Sequence, residues 1–323
     1  MLKPILQATT LGFALLLGSA AAHANPYPNR AVTVIVPFLA GGGGDTLARI
    51  VTNGLTKELG QSIIVENRPG AGGNIGTAQA VRAQPDGYTL AYGTNGTGAI
   101  NHLIYKDPGY SLDDLEPISR LTTITAAFAV SSESQFQSVE DVISHAKANP
   151  GVMTCGSAGN GTTSHIACEL FKQMAGLEIV HIPYRGGAAA LTDLIGGRID
   201  ILIDVMPNLA GQIAGGKLRA LAVTMEERVA SHPDVPTMNE AGVPGYYFFA
   251  WDALHAPKGT PTEVLDTLNA RVKAMLEQPE TAATLTDRGA TPAPTSREEL
   301  RDFMKSEYDR LSDIVKQANV QVD

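Results

Sequence analysis

Cysteine is almost missing from this chain of 323 residues, and its two copies, Cys155 and Cys168, are too few for a zinc site. No His-x-x-x-His pair completes one. Basic residues are outnumbered, 24 against 33 acidic, and they are scattered. A nucleic-acid surface needs a concentrated basic stripe, so no nucleic-acid partner is expected. A Gly-Lys-Ser/Thr phosphate loop does not occur. The nearest approach to G-x-G-x-x-G is Gly70-x-Gly72-x-x-x-Gly76, where Ile75 occupies the third glycine place. Neither a nucleotide nor a nicotinamide is expected, and no cofactor of another kind is indicated. Tandem repeats and low-complexity tracts are missing, which excludes a solenoid.

Long apolar runs are confined to the start. Lys3 supplies a positive end, Leu6 to Leu17 an apolar stretch and Ala22-His23-Ala24 a small-residue cleavage site. Residues 1–24 are therefore expected to be an export signal, cleaved after Ala24 to leave a soluble protein in the periplasm. No other segment approaches membrane-spanning length. An oxidising compartment permits Cys155 and Cys168 to bridge, since one ends a predicted strand and the other sits in the helix that follows. Two buried free thiols remain the other reading.

From Pro28 onward, strand and helix alternate. The β-branched run Val32 to Val36 precedes a helix over Thr46 to Leu59, whose apolar positions Leu47, Ile50, Val51, Leu55 and Leu59 share one face. Ser62 to Glu66 and Tyr88 to Tyr92 read as strands, with a helix over Gly76 to Ala83 between them. A second cycle begins near Ile124. Its strands fall at 124–130, 152–155, 179–182, 199–204 and 218–223, and its helices at 139–148, 163–174, 188–195 and 209–214. A strand over Trp251 to Ala256 and helices over 262–276 and 296–317 close the chain. This pattern predicts an α/β fold of two lobes, each a mostly parallel sheet flanked by helices. One lobe is expected over residues 25–123 plus 250–323 and the other over 124–249. Two crossover strands then act as a hinge, and the C-terminal helices pack back on the first lobe.

Two glycine-rich turns each lie between a strand and a helix. The first runs Phe38, Leu39, Ala40, Gly41, Gly42, Gly43, Gly44 and Asp45. The second runs Gly156, Ser157, Ala158, Gly159, Asn160, Gly161, Thr162 and Thr163. Such turns bring bare backbone close to a ligand and aim unpaired N–H groups at it, which suits an anion. The turns are thus expected to hold a carboxylate in a cleft, and Gly42→Val or Gly159→Val to abolish binding. Asp45 reads equally as a complement to the helix dipole and as a ligand sensor. His165 reads first as packing between helix and sheet, second as a ligand contact. Arg185, in Tyr184-Arg185-Gly186-Gly187, reads as a bidentate grip on a carboxylate or as a solvated side chain. Asp204, at a strand end, is a further candidate to face the cleft. Cys155-Gly156-Ser157-Ala158-Gly159 approaches a nucleophile elbow but has cysteine where G-x-S-x-G needs glycine. An exported serine hydrolase using Ser157 and His165 is the rival reading.

Several segments carry a family resemblance. They include Pro37-Phe38 through Asp45, Val65-Glu66-Asn67-Arg68-Pro69-Gly70-Ala71-Gly72-Gly73 and Pro85-Asp86-Gly87-Tyr88-Thr89-Leu90. Further along come Gly156-Ser157 through His165, Pro183-Tyr184-Arg185-Gly186, Gly216-Lys217-Leu218-Arg219-Ala220-Leu221-Ala222-Val223-Thr224 and Pro233-Asp234-Val235-Pro236-Thr237. In these the chain resembles the periplasmic receptors of tripartite tricarboxylate transporters, the Bug family, over nearly its whole length after residue 24. The resemblance implies a non-enzymatic, monomeric clamshell that captures a small organic acid and delivers it to membrane permease subunits. A sensory role toward a signalling partner is the other outlet. By position, carboxylates would be held by main-chain N–H groups and waters at Phe38 to Asp45 and Ser157 to Thr163. Tyr184 to Gly187 and Asp204 would lie alongside, with Thr94 and Asn95 on the first lobe's wall. Ala40 stands where the family often has proline, and Arg185 where it often has lysine. An aliphatic diacid, a tricarboxylate and an aromatic acid all remain open as ligands.

Overall fold

The computed structural model describes residues 27–229, 231–317 and 320. The expected export signal lies outside them. The chain opens with β1 (Val32–Val36), α1 (Gly43–Leu59), β2 (Ile63–Asn67), α2 (Asn74–Val81) and β3 (Thr89–Thr94). A π-helical turn (Gly96–Ile100) runs into the short α3 (Asn101–Ile104), and β4 (Leu115–Ile124) follows. Next come β5 (Ala126–Ser131), α4 (Val139–Ala148), β6 (Thr154–Ser157), α5 (Thr163–Ala175) and β7 (Val180–Pro183). Then follow α6 (Gly187–Ile195), β8 (Ile201–Val205), α7 (Met206–Ala214) and β9 (Leu218–Val223). The chain closes with β10 (Ala250–Pro257), α8 (Thr262–Glu277), α9 (Pro279–Thr286), β11 (Ala290–Pro292) and α10 (Arg297–Gln317). No helix among the described residues is long and apolar enough to cross a membrane.

These strands make two sheets, in the orders β11-β4-β10-β3-β1-β2 and β7-β6-β8-β5-β9. In the first, β1 runs parallel to β2 and β3, whereas β10 is antiparallel to β3 and β4. In the second, β6 is parallel to β7 and β8, whereas β5 is antiparallel to β8 and β9. Each sheet thus takes in one long, fully buried strand against its parallel grain: β10 and β5. Both enter by a crossover between sheets. Only Thr125 separates β4 from β5, so one nearly continuous strand serves both sheets.

Helix ends follow local chemistry. Gly60 stops α1 in the left-handed region, its N–H reaching Thr56 O. Gly176 stops α5 the same way, and Leu177 N–H closes back on Lys172 O. Ser138 and Asp141 form a capping box at α4. On α1, Leu47, Ala48, Val51 and Leu55 are buried against the first sheet. On α5, Ile166, Leu170 and Phe171 are buried against the second.

Three expectations need correction. Helix α1 begins at Gly43 and not at Thr46, so half of the glycine run is helical and Asp45 sits inside the first turn. The segment before Ile124 is a ten-residue strand rather than a simple crossing, and residues 96–104 are helical where none was expected. Helix α10 does not pack on one lobe alone. Its Leu300 and Met304 join Trp251 and Ala253, while Leu311 and Val315 join Phe171 and Phe248. Twenty-one residues at about 1.5 Å each make a rod of about 30 Å, long enough to lie against both sheets.

Cys155 and Cys168 are joined by a disulfide, with Cα atoms 6.6 Å apart, tying β6 to α5. Both residues are fully buried. Closing a loop of this size restricts the unfolded chain by about 3 kcal/mol. Replacing both cysteines by alanine is accordingly expected to lower stability by about 2–4 kcal/mol, read as a fall in the urea midpoint. An unchanged midpoint would mean that the bridge adds nothing.

Candidate functional site

Between the sheets lies a cavity of about 420 Å³. Its walls come from segments that immediately follow the C-terminal ends of β1, β3, β6, β7 and β8. Three helices start there. The first-turn residues Gly43 and Gly44 of α1, Thr163 and Ser164 of α5, and Gly187 and Ala188 of α6 all line it. First-turn N–H groups have no carbonyl one turn back, so these ends offer unpaired donors and the positive ends of helix dipoles. Much of the remaining wall is apolar, including Phe38, Leu39, Leu47, Tyr92, Ile124 and Trp251, with Thr94, Asn95, Thr162, Arg185, Thr192, Asp204 and Asn208 as its polar members.

Part of each glycine-rich turn is satisfied from within. Gly41 N–H donates to Asp45 Oδ2 at 2.9 Å. The same oxygen accepts from Arg49 Nε at 2.9 Å, and Oδ1 accepts from Asn67 Nδ2 at 2.8 Å. Burial pushes the Asp45 carboxyl up, but the hydrogen bonds from Arg49, Gly41 and Asn67 outweigh it and hold the group below the usual carboxylate range. Asp45 is buried, lies off the cavity wall and accepts three hydrogen bonds from within the protein. Of its two readings, the structural one fits this geometry.

The second turn repeats the pattern. Ala158 N–H donates to Ser164 Oγ (2.8 Å), Gly159 N–H to Ser157 Oγ (3.1 Å) and Gly161 N–H to His165 Nδ1 (3.2 Å). Ser157 Oγ in turn lies 2.6 Å from His181 Nε2. At this second turn the donors left for an anion are therefore those of the start of α5, whereas Leu39, Ala40 and Gly42 of the first turn line the cavity with their N–H groups not engaged within the turn.

Of the residues singled out from sequence, Phe38, Leu39, Ala40, Gly42, Gly43 and Gly44 line the cavity from the first turn. Thr94 at the end of β3 and Asn95 after it line it, as do Ala158, Thr162 and Thr163 after β6, Arg185 and Gly186 after β7, and Asp204 near the end of β8. Gly41, Asp45, Ser157, Gly159, Asn160, His165 and Tyr184 do not. Tyr184 points its hydroxyl at Asp193 (2.8 Å), and Asn160 offers its carbonyl to Tyr105 (3.0 Å). Gly42 has an ordinary φ of −80° and nothing closer to an added Cβ than Leu39 O at 3.7 Å, so its own backbone does not demand glycine.

Arg185 is exposed at the cavity, and among the described residues nothing pairs with its guanidinium. Asp204 is buried and is the one carboxylate on the wall. Desolvation pushes it up to about 6, although Val205 N–H and Asn208 Nδ2 each donate to it. Across the cleft, Thr163 Oγ1 donates to Asn95 Oδ1 at 2.8 Å.

From sequence, Trp251 reads equally as core and as part of an aromatic slot; the other floor residues, Leu47, Tyr92 and Ile124, were missed, together with Ser164, Thr192 and Asn208. Leu47 and Ile124 carried only a core signal. Ser164 lies in the first turn of α5, and recognising helix starts as the donor set would have found it.

His165, Glu169 and His181 bring one ligand-type atom each to within 4.8 Å of one another. As a metal centre this set is poorly arranged. Glu169 is paired with Lys172 at 2.8 Å, and the Gly161 N–H requires a lone pair on His165 Nδ1, which leaves the ring proton on Nε2.

The sequence matches the family described as "Tripartite tricarboxylate transporter family receptor" over residues 47–320. Among solved structures it is similar to Rpa4515 of R. palustris with adipate, at 36% identity and a TM-score of 0.89, covering 91% of this chain and 99% of that one. It is similar also to the periplasmic binding protein BugD, at 34% identity and a TM-score of 0.87, with 91% and 99% covered. A third likeness is to MatC (Rpa3494) from Rhodopseudomonas palustris with bound malate, at 32% identity and a TM-score of 0.85, with 90% and 100% covered. Their two-sheet α/β architecture is the one described above. The chain belongs to the tripartite tricarboxylate transporter receptor family, whose members are periplasmic solute-binding proteins.

Proposed function

We propose that this receptor captures a small carboxylate in the cavity between its sheets and closes around it by a hinge. The observation that carries the reading is the convergence of three helix starts, α1, α5 and α6, on one apolar-walled cavity. Their N–H groups neutralise an anion without a buried cation, and the apolar walls keep water out so that these dipoles act at low dielectric. Donors on both sides of the cleft suit a ligand with a carboxylate at each end. The adipate and malate held by Rpa4515 and MatC support that class.

The lobes are residues 25–123 with 250–323, and 124–249, and the hinge lies at Thr125 and at the return into β10. The closed form is then what membrane permease subunits of a tripartite transporter recognise. The protein is exported with cleavage after Ala24, acts as a monomer and performs no chemistry. Ser157 is fully buried and off the cavity wall, which supports the last point. A serine-directed covalent probe is expected to leave the protein unlabelled, and stoichiometric labelling of Ser157 would reinstate the hydrolase.

The test is a thermal-shift screen against mono-, di- and tricarboxylates, amino acids and aromatic acids. A ligand that binds only the folded state raises the melting temperature by mass action. A shift with a dicarboxylate is expected, and silence across all classes, in protein shown by mass spectrometry to be empty, would sink the reading. Arg185→Gln is expected to weaken binding about tenfold, the scale of one solvent-exposed charged hydrogen bond.

A further inference from the structure

His165 lies near the start of α5 and His181 on the neighbouring strand β7, and their rings stack with centroids 4.2 Å apart. Neither lines the cavity. Each nonetheless uses one ring nitrogen on the turn that leads into α5. His165 Nδ1 accepts the Gly161 N–H, and His181 Nε2 lies 2.6 Å from the Ser157 Oγ that accepts the Gly159 N–H. We propose that His165 and His181 are positioning residues that hold the 157–161 turn by specific ring nitrogens and so set where Thr163 and Ser164 present their N–H groups to an anion. This rests on the reading of α5 as part of a carboxylate site.

The geometry assigns each ring a distinct task. At position 165 the turn needs an acceptor at the Nδ1 place, because the partner is a backbone N–H that can only donate. At position 181 it needs a polar atom at the Nε2 place, where the partner is a hydroxyl able to donate or accept. A buried turn amide that loses its acceptor is costly, so the turn moves to find another. Gly159 and Gly161, with φ of +125° and +79°, leave the chain free to do so. The groups around the pair fit this role. Burial holds His165 at about 3, helped by His181 and Lys172, and burial with Lys172 holds His181 at about 4. Both rings are thus neutral at neutral pH, and Glu169 is occupied by Lys172.

Asparagine places its carbonyl oxygen where histidine has Nδ1, and glutamine reaches the Nε2 place. The test is a crossed set: His165→Asn, His165→Gln, His181→Asn and His181→Gln. Affinity is measured calorimetrically for adipate and malate, and hydrogen exchange is measured at the Gly161 and Gly159 amides. Asn at 165 and Gln at 181 are expected to stay within about threefold of the wild-type affinity. Gln at 165 and Asn at 181 are expected to lose at least tenfold. Exchange at Gly161 is expected to be at least tenfold faster in His165→Gln than in His165→Asn, and exchange at Gly159 faster in His181→Asn than in His181→Gln. Equal exchange and equal affinity within each pair would overturn the proposal. If the wild type binds neither acid while the exchange pattern holds, the positioning of the turn stands and the dicarboxylate reading of the cleft falls.

Discussion

Replacing Gly161 by alanine is expected to weaken carboxylate binding at least a hundredfold while leaving the protein folded. Gly161 follows β6, on the second sheet's side of the cleft, and faces Asn101 and Tyr105 on the other side. An added Cβ would come within 2.3 Å of Asn101 Oδ1 and 3.0 Å of the Tyr105 ring. Asn101 cannot give way, since it is fully buried and its amide nitrogen donates to Gly72 O and Asn74 Oδ1. The methyl group therefore wedges the two walls apart and leaves the α5 donors short of a ligand held at α1. A positive φ also carries a backbone cost of about 1–2 kcal/mol for alanine. Gly151→Ala controls for it, because Gly151 has a φ of +70° and nothing within 4 Å of an added Cβ. Both variants are expected to lose similar stability in urea, and only Gly161→Ala to lose binding in calorimetry. Full affinity in Gly161→Ala would show that closure at this seam is not required.

The second large effect is acid lability above the usual carboxylate range. His165 is held at about 3, and His181 and His255 at about 4, each mainly by burial, and His102 is lowered for the same reason. Unfolded, each would take up a proton near 6.5. Between those values the unfolded chain binds more protons, so stability falls as pH drops from about 6.5 toward 4. Asp204 and Asp252 oppose this. Desolvation raises both to about 6, so the folded state binds more protons between about 6 and 3.8 and gains stability as pH falls through that window. At pH 5 each of the three strongly shifted histidines costs on the order of 2 kcal/mol, and each aspartate returns on the order of 1 kcal/mol. The histidines win by a few kcal/mol. The urea midpoint is expected to be clearly lower at pH 5 than at pH 7, and an equal or higher midpoint at pH 5 would reverse the balance. Below pH 4 the paired carboxylates Asp45, Asp193 and Glu240, all held low, add to the loss.

The alternation of strand and helix was legible because each α/β unit carries its own periodicity and its own stop. Val139–Ala148 and Leu218–Val223 stand where the pattern put them, since Pro150, Gly151 and Gly216 mark their limits locally. What failed was whatever depended on distant partners. The strand Leu115–Ile124 mixes Glu116, Arg120 and two threonines into its run, and its identity comes from pairing with β10. Within the site, the wall residues on the two glycine-rich turns were legible from the glycines alone. The internal use of the turn amides was not. Asn67, Ser164 and His181 each take a role through a hydrogen bond that no local spacing records. Most of the apolar floor was equally hidden, because Leu47 and Tyr92 look like core, and they are core as well as wall.

Helix α10 lies against both sheets, so the chain holds its halves together in three places rather than two. Two antiparallel crossing strands alone would let the halves bend, twist and shear. A rigid rod clamped at both ends, with Trp251 Nε1 on Glu307 and Arg310 bracing Glu307 midway, resists twist and shear and leaves bending about an axis across the rod. With the hinge proposed above, open and shut shapes would differ along a single coordinate. A docking partner that distinguishes them has one angle to read, and the last two turns of α10 become the place where cutting the chain would blur that angle without touching the cavity.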